Sequence, residues 1–351
     1  MKTKNIAFMT LILILCVAQA GIFAKPVAKP QSKPSAKQPV VSAPETKKIE
    51  ISSAPVEPAT PFDTALKETK SAEPVIRRHG AEQFGVLRDP NAVPYLVELL
   101  NDPTAYVRAA AADSIGLLRG SGDKDRDRAI TKLCELLAKD LDETVRHTIA
   151  ISLSYIGDRK TEDCLIKAMN DKSASVKYAA IRTIGTLKFL KAENELIELL
   201  ESKDLHTKRA VIEALGNLQS KNSVSAILKY ADDEDKYIRL GVARALGEIG
   251  DQSVVPALKT KLNDPEDSVK IETALALAKL RDNSGLETAM ALVKSGDIAL
   301  KQQSLNIIAM IGDEKSLKIL DELYEAEQEP NLKSFIDFSR QSIKSRLQIN
   351  K

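Results

Sequence analysis

Residues Asp102–Leu118 read DPTAYVRAAAADSIGLL, and the same pattern returns along most of the chain. An apolar–basic pair, Val107-Arg108, opens a run of small residues, and Gly116 follows eight positions after the basic residue. Ile76-Arg77 leads to Gly85 in the same way, Val176-Lys177 to Gly185, Lys208 to Gly216 and Ile238-Arg239 to Gly247. Val145-Arg146, Val269-Lys270 and Leu300-Lys301 keep the frame with Ser154, Ala278 and Ala309 in the glycine's place. From Arg146 through Lys177, Lys208, Arg239 and Lys270 to Lys301 the basic anchors stand 31 residues apart, as do Arg77 and Arg108. The step from Arg108 to Arg146 is 38, and a fainter anchor, Lys333, follows 32 after Lys301. A fixed period in this range marks a solenoid, because one short unit cannot bury its apolar stripe without neighbours.

Each unit resolves into two helices. Val93, Leu96, Val97 and Leu100 recur at helical spacing, so helix A of the first full unit runs from about Asn91 to Asn101. Pro94 falls in its first turn, where a missing N–H is harmless. Asp102-Pro103 ends helix A and caps helix B, predicted over Thr104–Leu118. Counted from the anchor, positions −1, +3, +7 and +10 form a narrow apolar face on helix B: Val107, Ala111, Ile115 and Leu118 here, Ile238, Val242, Leu246 and Ile249 later. A mid-helix glycine costs up to about 1 kcal/mol against alanine. The column Gly85, Gly116, Gly185, Gly216 and Gly247 therefore needs an offsetting gain, and close approach of a neighbouring helix supplies one. The one long step draws its extra residues from Gly120–Asp127, read as a turn between helix B and the next helix A. From about residue 331 the sequence FIDFSRQSIKSRLQ loses the small column and turns polar, as a terminal cap helix should.

The core pattern, DPxxxVRxxAxxxLGxLGD, is clearest at Asp102–Leu118 and Asp233–Asp251. It resembles the HEAT repeat family, in particular the short bacterial HEAT-like units of the phycobilisome-lyase type. The resemblance covers about Val75 to Lys351. It implies an all-α, right-handed α-solenoid of about eight helix pairs. It implies little about function, since the family includes scaffolds, lyases and regulators alike. An aspartate six residues before the anchor recurs at Asp102/Arg108, Asp140/Arg146, Asp171/Lys177, Asp233/Arg239 and Asp264/Lys270. In HEAT units this spacing implies a structural ladder, the aspartate accepting from the anchor and from neighbouring backbone N–H groups. A cationic line for an anionic partner is the competing reading.

Ahead of the repeats the chain changes character. Lys2 and Lys4 precede an apolar run from Ile6 to Ala18, and Ala18-Gln19-Ala20 supplies small residues for cleavage. Residues 1–20 read as a signal peptide, cut after Ala20 or Ala24. An uncleaved anchor and a lipid on Cys16 are the alternatives, the latter disfavoured by the bulky Leu15. Residues 21–74 read as a disordered Pro/Lys/Ala-rich linker, with eight prolines between Pro26 and Pro61 and too few large apolar residues to fold. The repeat domain is expected over 75–351. The expected location is exported, periplasmic or otherwise associated with the cell envelope.

The chain's formal charge is +2 and falls to about zero once Lys2 and Lys4 leave with the signal, which gives no electrostatic case for nucleic acid. There is no Trp, and aromatics are scarce, so base-stacking platforms are lacking too. Cys134 and Cys164 lie one repeat apart. Stacked helices are spaced about 8–10 Å between axes, so these two are expected as buried free thiols. Asp123, Asp125 and Asp127 alternate like a calcium loop, but Arg128 and Cys134 stand where the turn glycine and the final glutamate belong. Related deoxyhypusine hydroxylases carry repeated His-Glu pairs that hold two irons. This sequence has no His-Glu dipeptide, and His79, His147 and His206 fall in different columns. No catalytic, cofactor or metal residues are expected.

What remains is the solvent side of helix B, which lines the concave surface in HEAT solenoids. Columns +1 and +5 hold His147, Ile151, Tyr178, Arg182, Arg209, Leu240, Arg244, Ile271 and Leu275, a mixture suited to a protein or peptide partner. The expectation is a monomeric, non-enzymatic exported scaffold that binds such a partner on its concave face. A bilin-lyase-type enzyme or an accessory or chaperone factor is the alternative.

Overall fold

The computed structural model describes residues 59–119 and 123–348. The expected signal peptide, most of the expected linker, Gly120–Gly122 and the last three residues lie outside them. The described residues form eighteen α-helices and no strand. They pair as A and B helices: α1 (Pro61–Thr69) with α2 (Pro74–Leu87), α3 (Val93–Leu99) with α4 (Ala105–Leu117), α5 (Asp123–Lys139) with α6 (Glu143–Ile156), and α7 (Glu162–Ala168) with α8 (Ala174–Leu187). Next come α9 (Glu193–Leu199) with α10 (Leu205–Leu218), α11 (Val224–Leu228) with α12 (Lys236–Ile249), and α13 (Val255–Lys261) with α14 (Asp267–Lys279). The last two pairs are α15 (Leu286–Leu292) with α16 (Ile298–Ile311) and α17 (Glu314–Ala326) with α18 (Pro330–Leu347). That makes nine pairs in an α-solenoid.

The additional pair starts inside the segment expected to be linker. Thr60 and Asp63 close a capping box at the start of α1, and Pro61 takes the first helical position. Phe62 then packs on Phe84, with ring centroids 5.0 Å apart, and Phe84 stacks on Tyr95. The folded array therefore begins near Thr60, not Val75. The expected turn at Gly120–Asp127 is also revised. Asp123 already belongs to α5, which reaches 17 residues where α3 has seven. Much of the excess lengthens helix A.

Each B helix packs on the next B helix along the whole array, whereas the A helices pack on one another mainly between α1 and α7. The B helices thus form the continuous row, the one that the HEAT resemblance places on the inner face. Their buried surface is wider than the four expected columns. Positions +4, +6 and +8 are buried as well, for example Ala112, Ser114 and Gly116 in α4. Position +6 is small from α4 to α14, because it receives the small +8 residue of the preceding repeat. A Cβ on Gly185, Gly216 or Gly247 would lie 2.8 Å from the Cα of Ala214, Ala245 or Ala276. Gly85 and Gly116 meet Ser114 and Ser152 in the same way.

One apolar core runs from Ala65 to Leu280, and a second from Ile271 to Ile343, with α14 contributing to both. Ile271 was expected on the solvent side. It is buried instead, because α15 and α16 pack against α14.

Candidate functional site

The basic anchors and their aspartates form rungs, but not within one repeat. Arg77 Nε and Nη2 donate to Asp102 at 2.6 and 2.9 Å, Arg108 to Asp140 at 2.7 and 2.8 Å. Arg146 engages Asp171 at 2.8 and 2.9 Å, and Arg239 engages Asp264 at 2.7 and 3.0 Å. Each guanidinium thus reaches the aspartate of the following repeat. Its remaining nitrogen donates to the carbonyls of its own interhelical loop, as Arg146 Nη1 does to Asp140 at 2.8 Å. The pairing expected within each repeat is replaced by this backbone contact. The geometry explains why: the planar fork spans loop and neighbour together, which gives each nitrogen of a largely buried cation an acceptor.

Burial pushes the Asp102, Asp140, Asp171 and Asp264 carboxyls up. The facing guanidinium and a backbone N–H two residues on more than reverse this and hold all four below the ordinary aspartate range. Two rungs are missing. Lys177 and Lys270 precede Ser202 and Ser295, which occupy the acceptor's place. Lys270 turns instead to Asp267 at 2.6 Å. Lys208 lies 4.0 Å from Asp233.

A second row crosses the inner face. Tyr178 Oη donates to Asp204 at 2.6 Å, which pushes the phenol up and helps Thr207 hold Asp204 well below the usual carboxylate range. Arg209 Nη2 donates to Asp235 at 2.5 Å while its guanidinium lies 4.7 Å from the Tyr237 ring centroid. Arg244 grips the buried Glu272 through Nε and Nη2 at 3.1 and 2.8 Å. These partners sit at or near the start of the next B helix, so adjacent repeats fix one another's surface side chains. Arg209, Glu213, Tyr237, Gly241 and Arg244 line a shallow groove of about 190 Å³ between α10 and α12. Of the remaining expected residues, His147, Ile151, Leu240 and Leu275 are half-buried and Arg182 is exposed.

Two inner-face columns were not counted in the sequence. Positions −2 and +9 expose Val75, Val86, Tyr106, Leu117 and Tyr155. The same offset arithmetic that located the glycines would have found them. The cysteines also depart from expectation. Cys134 of α5 and Cys164 of α7 form a disulfide with Cα atoms 5.5 Å apart. Helix axes are separated by more than this, but facing side chains start from the near surfaces of their cylinders. Among the described residues, no three His, Cys, Asp or Glu side chains stand close enough to share a metal ion. Nor is any described helix long and apolar enough to cross a membrane.

A family model described as HEAT repeats matches residues 62–154, 130–193, 193–269 and 255–334. The chain belongs to the HEAT repeat family. Among solved structures, the Escherichia coli protein YibA is 20% identical with a TM-score of 0.50, over 78% of this chain and 98% of its own. An engineered protein is 18% identical with a TM-score of 0.45, over 82% and 89%. Human deoxyhypusine hydroxylase is 19% identical with a TM-score of 0.33, over 71% and 95%. The likeness to YibA speaks to fold alone, and the other two carry no argument. No curated protein sequence matches this HEAT chain.

Proposed function

We propose that this HEAT protein is a non-enzymatic exported scaffold that binds a protein or peptide partner on the inner face of its B helices. The observation that carries the reading is the composition of that face. Tyr178, Arg209 and Arg244 are held in fixed positions by the next repeat, and large apolar side chains stand exposed on the B helices of the first three repeats. Rigid aromatic and guanidinium groups deliver contact area at low entropic cost, which suits a binding surface. Export is supported by the Cys134–Cys164 disulfide, a bond that persists in oxidising compartments, together with the signal-like first residues.

The test is affinity capture from the cell-envelope fraction with the tagged chain, followed by titration of the recovered partner. Wild-type capture of a defined partner is expected, and alanine at Tyr178 or Arg209 should weaken it by about 1–2 kcal/mol. Sequencing the N-terminus of the same material should give a start near Gly21 or Lys25. An intact Met1 in the cytosol removes the export claim.

A further inference from the structure

The inner face changes character along the array. At position +9 the first three B helices carry Val86, Leu117 and Tyr155, the next four carry Thr186, Asn217, Glu248 and Lys279, and the eighth carries Met310. These residues occupy one place on equivalent helices, so packing does not dictate an apolar side chain there. Val86, Leu117 and Tyr155 are 72%, 38% and 48% exposed. Position −2 is mixed, with exposed Val75 and Tyr106 in the first two repeats, Thr144 in the third and exposed Tyr237 in the sixth. Helices α2, α4 and α6 pack in succession, which aligns these side chains as one stripe across three repeats. Isolated exposed apolar residues are ordinary, whereas an aligned stripe of them marks a contact surface.

The same three helices carry an unmatched charge. Asp113 lies at +5 of α4, flanked in that column by Glu82 of α2 and Ile151 of α6. Glu82 is tied to Arg78 at 2.6 Å. Further along the face, Asp235, Glu248 and Glu272 are each paired with a cation. No lysine or arginine pairs with Asp113 among the described residues, and burial followed by the Glu82 charge pushes its carboxyl up. A carboxylate in that setting gains most from an incoming cation.

We propose that α2, α4 and α6 form a docking surface for an amphipathic segment of a partner protein, whose apolar row lies along Val86, Leu117 and Tyr155 and whose lysine or arginine pairs with Asp113. The proposal rests on the scaffold reading for the existence of a partner. It places the principal contact at the first three repeats, ahead of Tyr178 and Arg244.

The probes are three fluorescein-labelled helical peptides of about 18 residues, patterned Leu/Lys, Leu/Glu and Ser/Lys, titrated by anisotropy into the full chain. Leu/Lys is expected to bind about tenfold or more tighter than either other peptide. The double variant Leu117→Ser, Tyr155→Ser should lose about tenfold or more of that affinity at an unchanged melting temperature. Asp113→Asn should remove most of the preference for Leu/Lys over Leu/Glu. Asn217→Ala, in the same column of a later repeat, should change nothing. Equal binding of the three peptides, or of wild type and the double variant, overturns the proposal. So does sedimentation showing a dimer that Leu117→Ser dissolves, which assigns the stripe to self-association. A partner captured from the envelope that ignores Leu117 and Tyr155 also overturns it, yet leaves the scaffold reading standing. Peptide binding at the stripe with no partner recovered from the envelope does the reverse.

Discussion

The α6/α8 and α8/α10 interfaces are neighbours built on the same 31-residue frame, yet they are fastened differently. At α6/α8, buried Arg146 clamps Asp171, Thr183 Oγ1 donates to the Ala150 carbonyl at 2.9 Å, and the Cys134–Cys164 disulfide ties the outer helices. Ser154 stands there in the glycine column. At α8/α10 the clamp is absent, with Lys177 and Ser202 in place of arginine and aspartate, but Gly185 lets the Ala214 backbone approach closely. The α2/α4 interface has both the Arg77–Asp102 clamp and Gly85 against Ser114. Clamp and close approach are therefore separable devices, and an interface stands with one of them.

The largest test of this contrast is Asp171→Ala, which strands the Arg146 guanidinium in a site where it is 1% exposed. A loss of about 3–5 kcal/mol in denaturant unfolding is expected, and one below about 1 kcal/mol would mean that the loop carbonyls suffice. The rung also has a pH signature. Because Asp171 is held below its ordinary value, its contribution is fully present above about pH 4 and is lost as the pH falls through the lowered value. Asp171→Ala should therefore flatten the acid limb of the stability profile. Replacing both Cys134 and Cys164 by serine should cost about 2–4 kcal/mol for a loop closed over 30 residues, with no counterpart at α8/α10. Calorimetry with and without reductant checks it, since the variant should match the reduced wild type.

Gly185→Leu acts on the other interface and should destabilise by roughly 1–3 kcal/mol, since its Cβ would meet the Ala214 Cα at 2.8 Å. Gly241 is the control glycine. Its Cβ would meet only Ile212 Cγ2 at 3.7 Å, so Gly241→Ala should raise stability by up to about 1 kcal/mol. The smallest effect belongs to Lys177→Ala, expected within about 0.5 kcal/mol because no aspartate awaits it. A loss near that of Asp171→Ala would break the contrast.

The repeat frame was legible because the anchors and glycines keep one spacing, and spacing is what stacked helices impose. The direction of the rungs was not. In a 31-residue period, six residues before one anchor is also 25 after the previous one, so Asp102 fits Arg108 and Arg77 equally. The residue types held the answer: Arg77, Arg108, Arg146 and Arg239 all precede an aspartate in the next repeat, while Lys177 and Lys270 precede serine. The first helix hid because PFDTALKET offers few apolar residues and follows a proline-rich run, although its capping box was in view. The disulfide escaped an argument made from axis spacing alone. Of the inner-face residues, Tyr178, Arg209 and Arg244 were legible as side chains but not as bonded ones, because their partners belong to the following repeat.

The forward reach of the arginines has a consequence for where the chain can be cut. A fragment ending at Leu187 keeps every guanidinium with its aspartate, since Lys177 has no rung to lose. A fragment ending at Ile156 deprives Arg146 of Asp171 and leaves a charged, unmatched end. The rungless steps at Ser202 and Ser295 are thus natural seams, dividing the array into α1–α8, α9–α14 and α15–α18. Insertions, deletions and exchanges of whole repeats should be tolerated best at those two seams, and bending under load should gather there.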